Sequence, residues 1–253
     1  MVYLFTEHKK RWLTGIGLVT LIGLIGWIDN FTLTWAFMGV VHMIAFYEAM
    51  RLFELESQSA YYWAGFIWIV AYFYPNPDDL FFVMAVIFGS TLAYFHNFDK
   101  RLLLPFLYPT SGLLYMLMLY HDYGLWAIMW LLVTVTLVDI GAFFVGTTLG
   151  KTPFSDTSPN KTWEGVIGGV FFGTVGGTLM GLYTIPILWI VLIITFFASV
   201  ASIFGDLFES YLKREANIKD SGTILPGHGG VLDRIDGYLF AVVILVLLLR
   251  AFL

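Results

Sequence analysis

The chain has 253 residues, of which 59% are hydrophobic and only 12% charged, with a formal net charge of −5. Soluble domains are nearer half apolar and a quarter charged, and outer-membrane barrels alternate apolar and polar residues, so this composition excludes a soluble, a disordered and a barrel protein. At ~20 residues per span, what remains is a polytopic helical membrane protein with room for roughly eight to ten helices and no separate soluble domain.

Apolar runs and the polar breaks between them predict nine helices. The first covers 11–28, after the basic Lys9, Lys10 and Arg11. A signal peptide begins the same way. Here the apolar run ends Gly26-Trp27-Ile28-Asp29-Asn30 with no small-residue cleavage site, so an uncleaved first span is expected. The next predicted helices cover 31–53, 60–74, 80–98, 103–120, 124–148, 164–184, 187–214 and 231–252. The third is short for a full span. Pro75, Pro77, Pro105, Pro109 and Pro186 fall near helix ends or kink points.

Basic residues favour the cytoplasmic side of a membrane protein. With nine spans, one side collects Lys9, Lys10, Arg11, Arg51, Lys100, Arg101, Lys151, Lys161, Lys213, Arg214, Lys219 and Arg234, and the other only Arg250. The N-terminus is therefore expected in the cytoplasm and the C-terminus outside. The chain reads as one membrane domain over 1–253. Residues 1–120 offer little to interpret, whereas 121–253 form a catalytic half with two long cytoplasmic loops, 149–163 and 215–230.

The acidic balance supplies no basic stripe for nucleic acid. Without cysteine there are no disulfides, thiolate metal sites or cysteine nucleophiles.

Polar residues concentrate in 206–236. Asp206, Glu209 and Lys213 stand at i, i+3 and i+7, on one helix face, with Ser202 one turn before them. Asp233 and Asp236 share a face in the same way. Carboxylates in membrane helices are costly and need a cation, a basic residue or water. Carboxylates facing each other from two helices would make an all-oxygen site suited to a hard cation such as Mg²⁺, which shares its shell with substrate phosphates. Lys213, Arg214, Lys219 and Arg234 supply positive charge, and Gly227, Gly229 and Gly230 let backbone amides approach an anion. Together they read as a nucleotide or polyphosphate site, without the usual phosphate-loop motif.

Simpler readings exist for each part. Lys213 and Arg214 also fit cytoplasmic anchors. Asp206 and Glu209 also fit folding partners of Lys213. The glycines also fit plain turns, His228 a loop residue without a role, and Asp233-Arg234-Ile235-Asp236 a salt-bridged helix cap. Their joint occurrence weakens these readings.

A second polar stretch holds Asp139-Ile140-Gly141-Ala142-Phe143 and Ser158-Pro159-Asn160-Lys161-Thr162-Trp163-Glu164-Gly165. Ser158 or Thr162 can cap the seventh helix, and Glu164 can support its first turn. Lys161 at a helix start opposes the helix dipole, which favours a role facing an anion.

These motifs resemble the phosphatidate cytidylyltransferase (CDP-diacylglycerol synthase) family. Its signature S-x-x-K-R-x-x-x-x-K-D-x-G-x-x-(L/I/F)-P-x-H-G-G-x-x-D-R-x-D is matched at every specified position from Ser210 to Asp236. The stretch 158–165 is similar to the family's S-P-x-K-T-W-E-G, and Asp139 to Phe143 to its Asp-x-Gly-Ala-aromatic segment. The first ~120 residues match only in hydropathy and in a carboxylate of the second helix, Glu48.

The resemblance implies a nucleotidyltransferase that makes CDP-diacylglycerol and pyrophosphate from CTP and phosphatidic acid. It implies Mg²⁺, with Mn²⁺ as substitute and room for a second cation, and a homodimer. It places the protein in a bacterial inner membrane with its site facing the cytoplasm. Asp206 and Asp233 are the expected metal ligands, with Asp236 a third. Lys213, Arg214 and Lys219 are expected to neutralise the triphosphate. The Gly229 and Gly230 amides are expected on phosphate, with His228 beside them and Arg234 on the lipid phosphate. Lys161, Thr162 and Glu164 line the mouth, Ser210 belongs to the signature, and Asp220 either orients Lys219 or binds cytidine. The competing readings are a CTP-dependent polyprenol kinase, an archaeal-lipid cytidylyltransferase, an ion-coupled transporter using Asp139, Asp206, Asp233 and Asp236, or a purely structural membrane protein.

Overall fold

The computed structural model describes residues 2–95, 98–227 and 229–253. The chain is an all-α membrane protein apart from one short hairpin. Its main helices are α1 (Val2–Ile28), α2 (Phe31–Leu52), α3 (Gln58–Phe73), α4 (Leu80–Tyr94), α5 (Ser111–Leu149), α6 (Trp163–Gly181), α7 (Leu188–Glu215) and α8 (Leu232–Phe252). Strands β1 (Pro153–Ser155) and β2 (Ser158–Thr162) pair antiparallel inside the segment expected to be a long loop.

Among the described residues, five stretches are long and apolar enough to cross a membrane: Phe31–Leu52, Pro77–Tyr94, Lys100–Leu149, Leu188–Glu215 and Leu232–Phe252. The expected helices 103–120 and 124–148 run together. One non-helical residue, Gly124 (φ 74°), interrupts α5 where the sequence reading put a break. The stretch Lys100–Leu149 has 50 residues, about 75 Å as helix, which is more than twice a hydrocarbon thickness of ~30 Å. Helix α3 has only 16 residues, consistent with the short third span.

The chain forms two compact units. The first holds Met1–Leu117 with Ala216–Ile235, and the second Met118–Glu215 with Asp236–Leu253. The long loop after α7 thus folds with the N-terminal helices, although it is distant from them in sequence.

In the first unit, α2 is the hub. Asp29 takes a left-handed corner (φ 46°) after α1, and the Asn30 side chain caps α2 by accepting from the Leu33 amide at 3.0 Å. Two reciprocal bonds pin α2 to α3. The Trp35 indole donates to the Trp68 carbonyl at 2.9 Å, and the Trp68 indole to the Trp35 carbonyl at 3.2 Å. His42 stacks on Trp68 at 4.9 Å and lies 3.0 Å from the Thr110 hydroxyl, just before α5. Ala45, Phe46, Ala49 and Met50 are fully buried below it. Glu48, on the same buried helix, is fully buried too.

In the second unit, α6 packs through glycines spaced by four. A Cβ at Gly165 would lie 2.9 Å from the Ala142 carbonyl, and one at Gly169 2.8 Å from the Val138 carbonyl. Only small residues let helix backbones approach so closely. Trp130 fills the interior and donates its indole N–H to the Thr195 hydroxyl at 2.9 Å.

Candidate active site

The structure gathers the expected site residues into two clusters, one in each unit. Lys219, Asp220, Gly229, Gly230, Asp233 and Arg234 belong to the first unit. Lys161, Thr162, Glu164, Asp206, Ser210, Lys213, Arg214 and Asp236 belong to the second. His228 lies outside the described residues.

The first cluster is a loop bound around two carboxylates. Gly227 and Gly229 take positive φ (76° and 83°), which glycine adopts without steric cost. Between the turns the Leu225 amide donates to the Gly229 carbonyl at 3.0 Å. The Thr14 hydroxyl of α1 donates to the Pro226 carbonyl at 3.2 Å. Asp233, in the first turn of α8, gathers the loop from both ends. Its Oδ2 accepts from the Ser221 amide (3.0 Å), the Ser221 hydroxyl (3.0 Å) and the Gly230 amide (2.7 Å). The Gly230 amide is therefore taken by Asp233 rather than presented to a phosphate, a different use from the one the sequence suggests.

Glu48 completes this arrangement. It accepts from the Val231 amide at 3.1 Å and the Leu232 amide at 2.7 Å, so it caps α8 from a distant helix. The Ser221 hydroxyl lies 3.0 Å from Asp233 Oδ2 and 3.4 Å from Glu48 Oε2, and its single proton favours the nearer acceptor. The sequence offered one signal for Glu48: a carboxylate in an apolar helix must find partners. Its partners stand more than 170 residues away.

These turns enclose a cavity of about 550 Å³, lined by Lys219, Asp220, Gly222, Thr223, Leu225, Gly227, Gly229 and Arg234. That is the size of a small-molecule site. Lys219 and Arg234 bring positive charge to its wall, and the glycines leave backbone accessible.

The second cluster surrounds the end of α7. Lys161 of β2 pairs with Asp206 Oδ2 at 2.6 Å, and Lys213 with Glu209 at 3.1 Å. Ser210 reaches Asp206 Oδ1 at 3.5 Å, the outer limit of a hydrogen bond. Asp236 of α8 hydrogen-bonds Glu209 and interacts with the charge of Asp206. Three carboxylates thus face two lysines. Arg214 is exposed at the helix end. Among the described residues, no three acidic or histidine side chains converge so as to hold a metal ion unaided. Mg²⁺ needs only one or two carboxylates when phosphates complete its shell. The oxygen donors of Asp206 and Asp236 fit such a cation.

Thr162 and Glu164 have structural tasks. The Thr162 hydroxyl caps α6 by accepting from the Gly165 amide at 3.2 Å. Glu164 binds the turn before β1: it accepts from the Lys151 amide (3.1 Å), the Thr152 amide (3.2 Å) and the Thr152 hydroxyl (3.0 Å). Thr162→Ala is expected to destabilise the protein by about 1 kcal/mol in detergent unfolding while leaving the KM for CTP unchanged. A large rise in that KM would instead put the hydroxyl on substrate.

A family model described as "Cytidylyltransferase family" matches residues 9–252. The phosphatidate cytidylyltransferase of Helicobacter pylori is 44% identical over 245 residues, covering 96% of this chain and 92% of that protein. The protein of the same name from Thermotoga maritima is 33% identical over 225 residues, covering 78% and 80%. That from Bacillus subtilis is 48% identical over 134 residues, covering 52% and 50%. The matched family extends over both clusters and nearly the whole sequence: the chain belongs to the cytidylyltransferase family.

Proposed function

We propose that the protein is a phosphatidate cytidylyltransferase, making CDP-diacylglycerol and pyrophosphate from CTP and phosphatidic acid. The observation that carries this reading is the cavity of about 550 Å³, with Lys219 and Arg234 on its wall and glycine backbone around it. Near full-length similarity to proteins named for that activity supports it.

In the reaction a phosphatidate oxygen forms a bond to the α-phosphorus of CTP. The bond from that phosphorus to the bridging oxygen breaks, and pyrophosphate leaves with the electron pair. A phosphomonoester has a second pKa of about 6, so the nucleophile is already an anion at neutral pH. No strong general base is required. The protein has to offset repulsion between anions, align them and stabilise the leaving group. Lys219 and Arg234 bind the triphosphate from the cavity wall. Arg214 adds positive charge at the exposed end of α7, and Lys213 and Lys161 hold Glu209 and Asp206 in place. Asp220 shares the wall with Lys219 and either orients it or meets the cytidine. Asp206 and Asp236 would hold Mg²⁺, or Mn²⁺, arriving with the nucleotide. When bound, the cation shields the triphosphate charge and activates the α-phosphorus. Asp233 organises the loop.

The same reading has nine membrane passes, a cytoplasmic N-terminus and a bacterial inner-membrane location. The placement of twelve of the thirteen basic residues on one side supports the orientation. Phosphatidate then reaches the site from the bilayer and CTP from water, and two chains form a homodimer.

Lys219→Ala tests the role of the cavity. Losing a hydrogen bond to a charged group costs about 1.5–3 kcal/mol, so the KM for CTP should rise about 10- to 100-fold. The KM for phosphatidate should stay within about twofold. An unchanged KM for CTP would count against the cavity as the nucleotide site.

A further inference from the structure

Glu48 lies on α2, far in sequence from every motif residue, yet its carboxylate meets the loop that lines the cavity. It is fully buried, and Ser221 is only 3% exposed. Its two oxygens accept from the Val231 and Leu232 amides, with the Ser221 hydroxyl also in reach. These groups stand at the two ends of the loop: Ser221 where it begins, Val231 and Leu232 where it becomes α8. Asp233 bridges the same ends through Ser221 and Gly230. The cavity residues Gly222, Thr223, Leu225, Gly227 and Gly229 all fall between them.

The glycines flanking the cavity record how close this carboxylate comes. A Cβ at Gly230 would stand 2.7 Å from both Glu48 oxygens, and one at Gly222 would clash with Oε1. Both residues keep a negative φ, so their lack of a side chain follows from the space Glu48 occupies. Because Glu48 and Asp233 take the Gly230, Val231 and Leu232 amides, the N-terminus of α8 is closed to phosphate. Anion binding falls to the cavity wall instead.

We propose that Glu48 is a positioning residue for CTP: it clasps the two ends of the 221–232 loop through Ser221 and the first amides of α8, and so fixes the geometry of the nucleotide cavity. This rests on the reading of that cavity as the CTP site. Glu48 touches no reacting atom. It acts by holding Lys219 and Arg234, just outside the two clasped ends, at a fixed separation.

The test uses the full-length protein in detergent, with calorimetric CTP binding and steady-state kinetics in each substrate separately. Glu48→Gln keeps volume but turns an amide N–H₂ toward backbone donors, so one of the Val231 and Leu232 amides loses its acceptor. CTP affinity and kcat/KM for CTP should fall about 10- to 100-fold, as expected for unpaired buried groups, with the KM for phosphatidate within about twofold. Ser221→Ala, which retains the backbone, should shift the same constants in the same direction by a smaller factor. The double variant should be less impaired than the product of the two single effects, because both act through one clasp. If both single variants bind and use CTP like wild type, the positioning role is wrong while the enzymatic reading stands. Equal losses for CTP and phosphatidate would also overturn it, since that is the mark of general destabilisation. If Glu48→Gln does not assemble, Ser221→Ala alone decides between a CTP-selective loss and none. Wild-type protein that neither binds nor consumes CTP would overturn the cavity assignment and this proposal with it.

Discussion

Asp233→Ala is expected to lower kcat/KM for CTP by about three orders of magnitude while the protein still assembles. One oxygen of Asp233 accepts three hydrogen bonds, from the Ser221 amide and hydroxyl and from the Gly230 amide. Removing the carboxylate leaves these donors without that acceptor, and each buried unpaired group costs about 1–3 kcal/mol. A total near 4 kcal/mol corresponds to about 10³-fold in rate. The loss should act through the loop, because Asp233 holds together the segment that lines the cavity. Asp233→Asn, which can still accept a hydrogen bond, should recover part of the activity. Steady-state kinetics of both variants checks this. Near-normal activity of Asp233→Ala would remove Asp233 from both the loop and the metal roles.

Asp206→Asn is expected to lose at least about 10²-fold in kcat, in line with the loss of a group that stabilises transition-state charge. Its signature should differ from that of Asp233. Asp206 pairs with Lys161 at 2.6 Å, and Asp236 interacts with its charge. In the proposed mechanism these carboxylates meet the divalent cation. The Mg²⁺ concentration giving half-maximal activity should therefore rise by about 10-fold or more for Asp206→Asn, the scale seen when groups supporting a metal are removed. For Asp233→Asn it should stay near wild type. A Mg²⁺ titration of kcat distinguishes the two. An unchanged Mg²⁺ requirement in Asp206→Asn would argue that Asp206 serves only to hold Lys161.

Much of this was legible in the sequence, for physical reasons. Scarce charge reveals a membrane protein because ionised groups are too costly in lipid to be scattered. The same cost makes the clustered polar residues of 206–236 stand out as chemistry. Gly124 marks a break because the two apolar runs on either side meet at a non-helical residue within one continuous element. Other features depend on contacts that no local pattern encodes. Glu48 looked like an isolated carboxylate because its partners lie on a loop more than 170 residues away. Gly230 looked like a phosphate contact because a glycine amide is equally suited to an anion and to a neighbouring carboxylate. In the fold Asp233 is that carboxylate, at 2.7 Å. Thr162 and Glu164 carried two readings in the sequence, and the structure gives both of them capping and turn contacts. The second long loop hid the hairpin of β1 and β2, which is too short for its alternation to stand out.

The most direct test of the central claim is product identification with CTP labelled at the α-phosphorus. Purified full-length protein is supplied with phosphatidic acid in mixed micelles, with Mg²⁺ or with EDTA. The account predicts that the label moves into CDP-diacylglycerol, with one pyrophosphate released per lipid, and that EDTA stops the reaction. Label remaining in CDP while a lipid gains a phosphate, or ion flux in proteoliposomes without any CTP consumption, would contradict it.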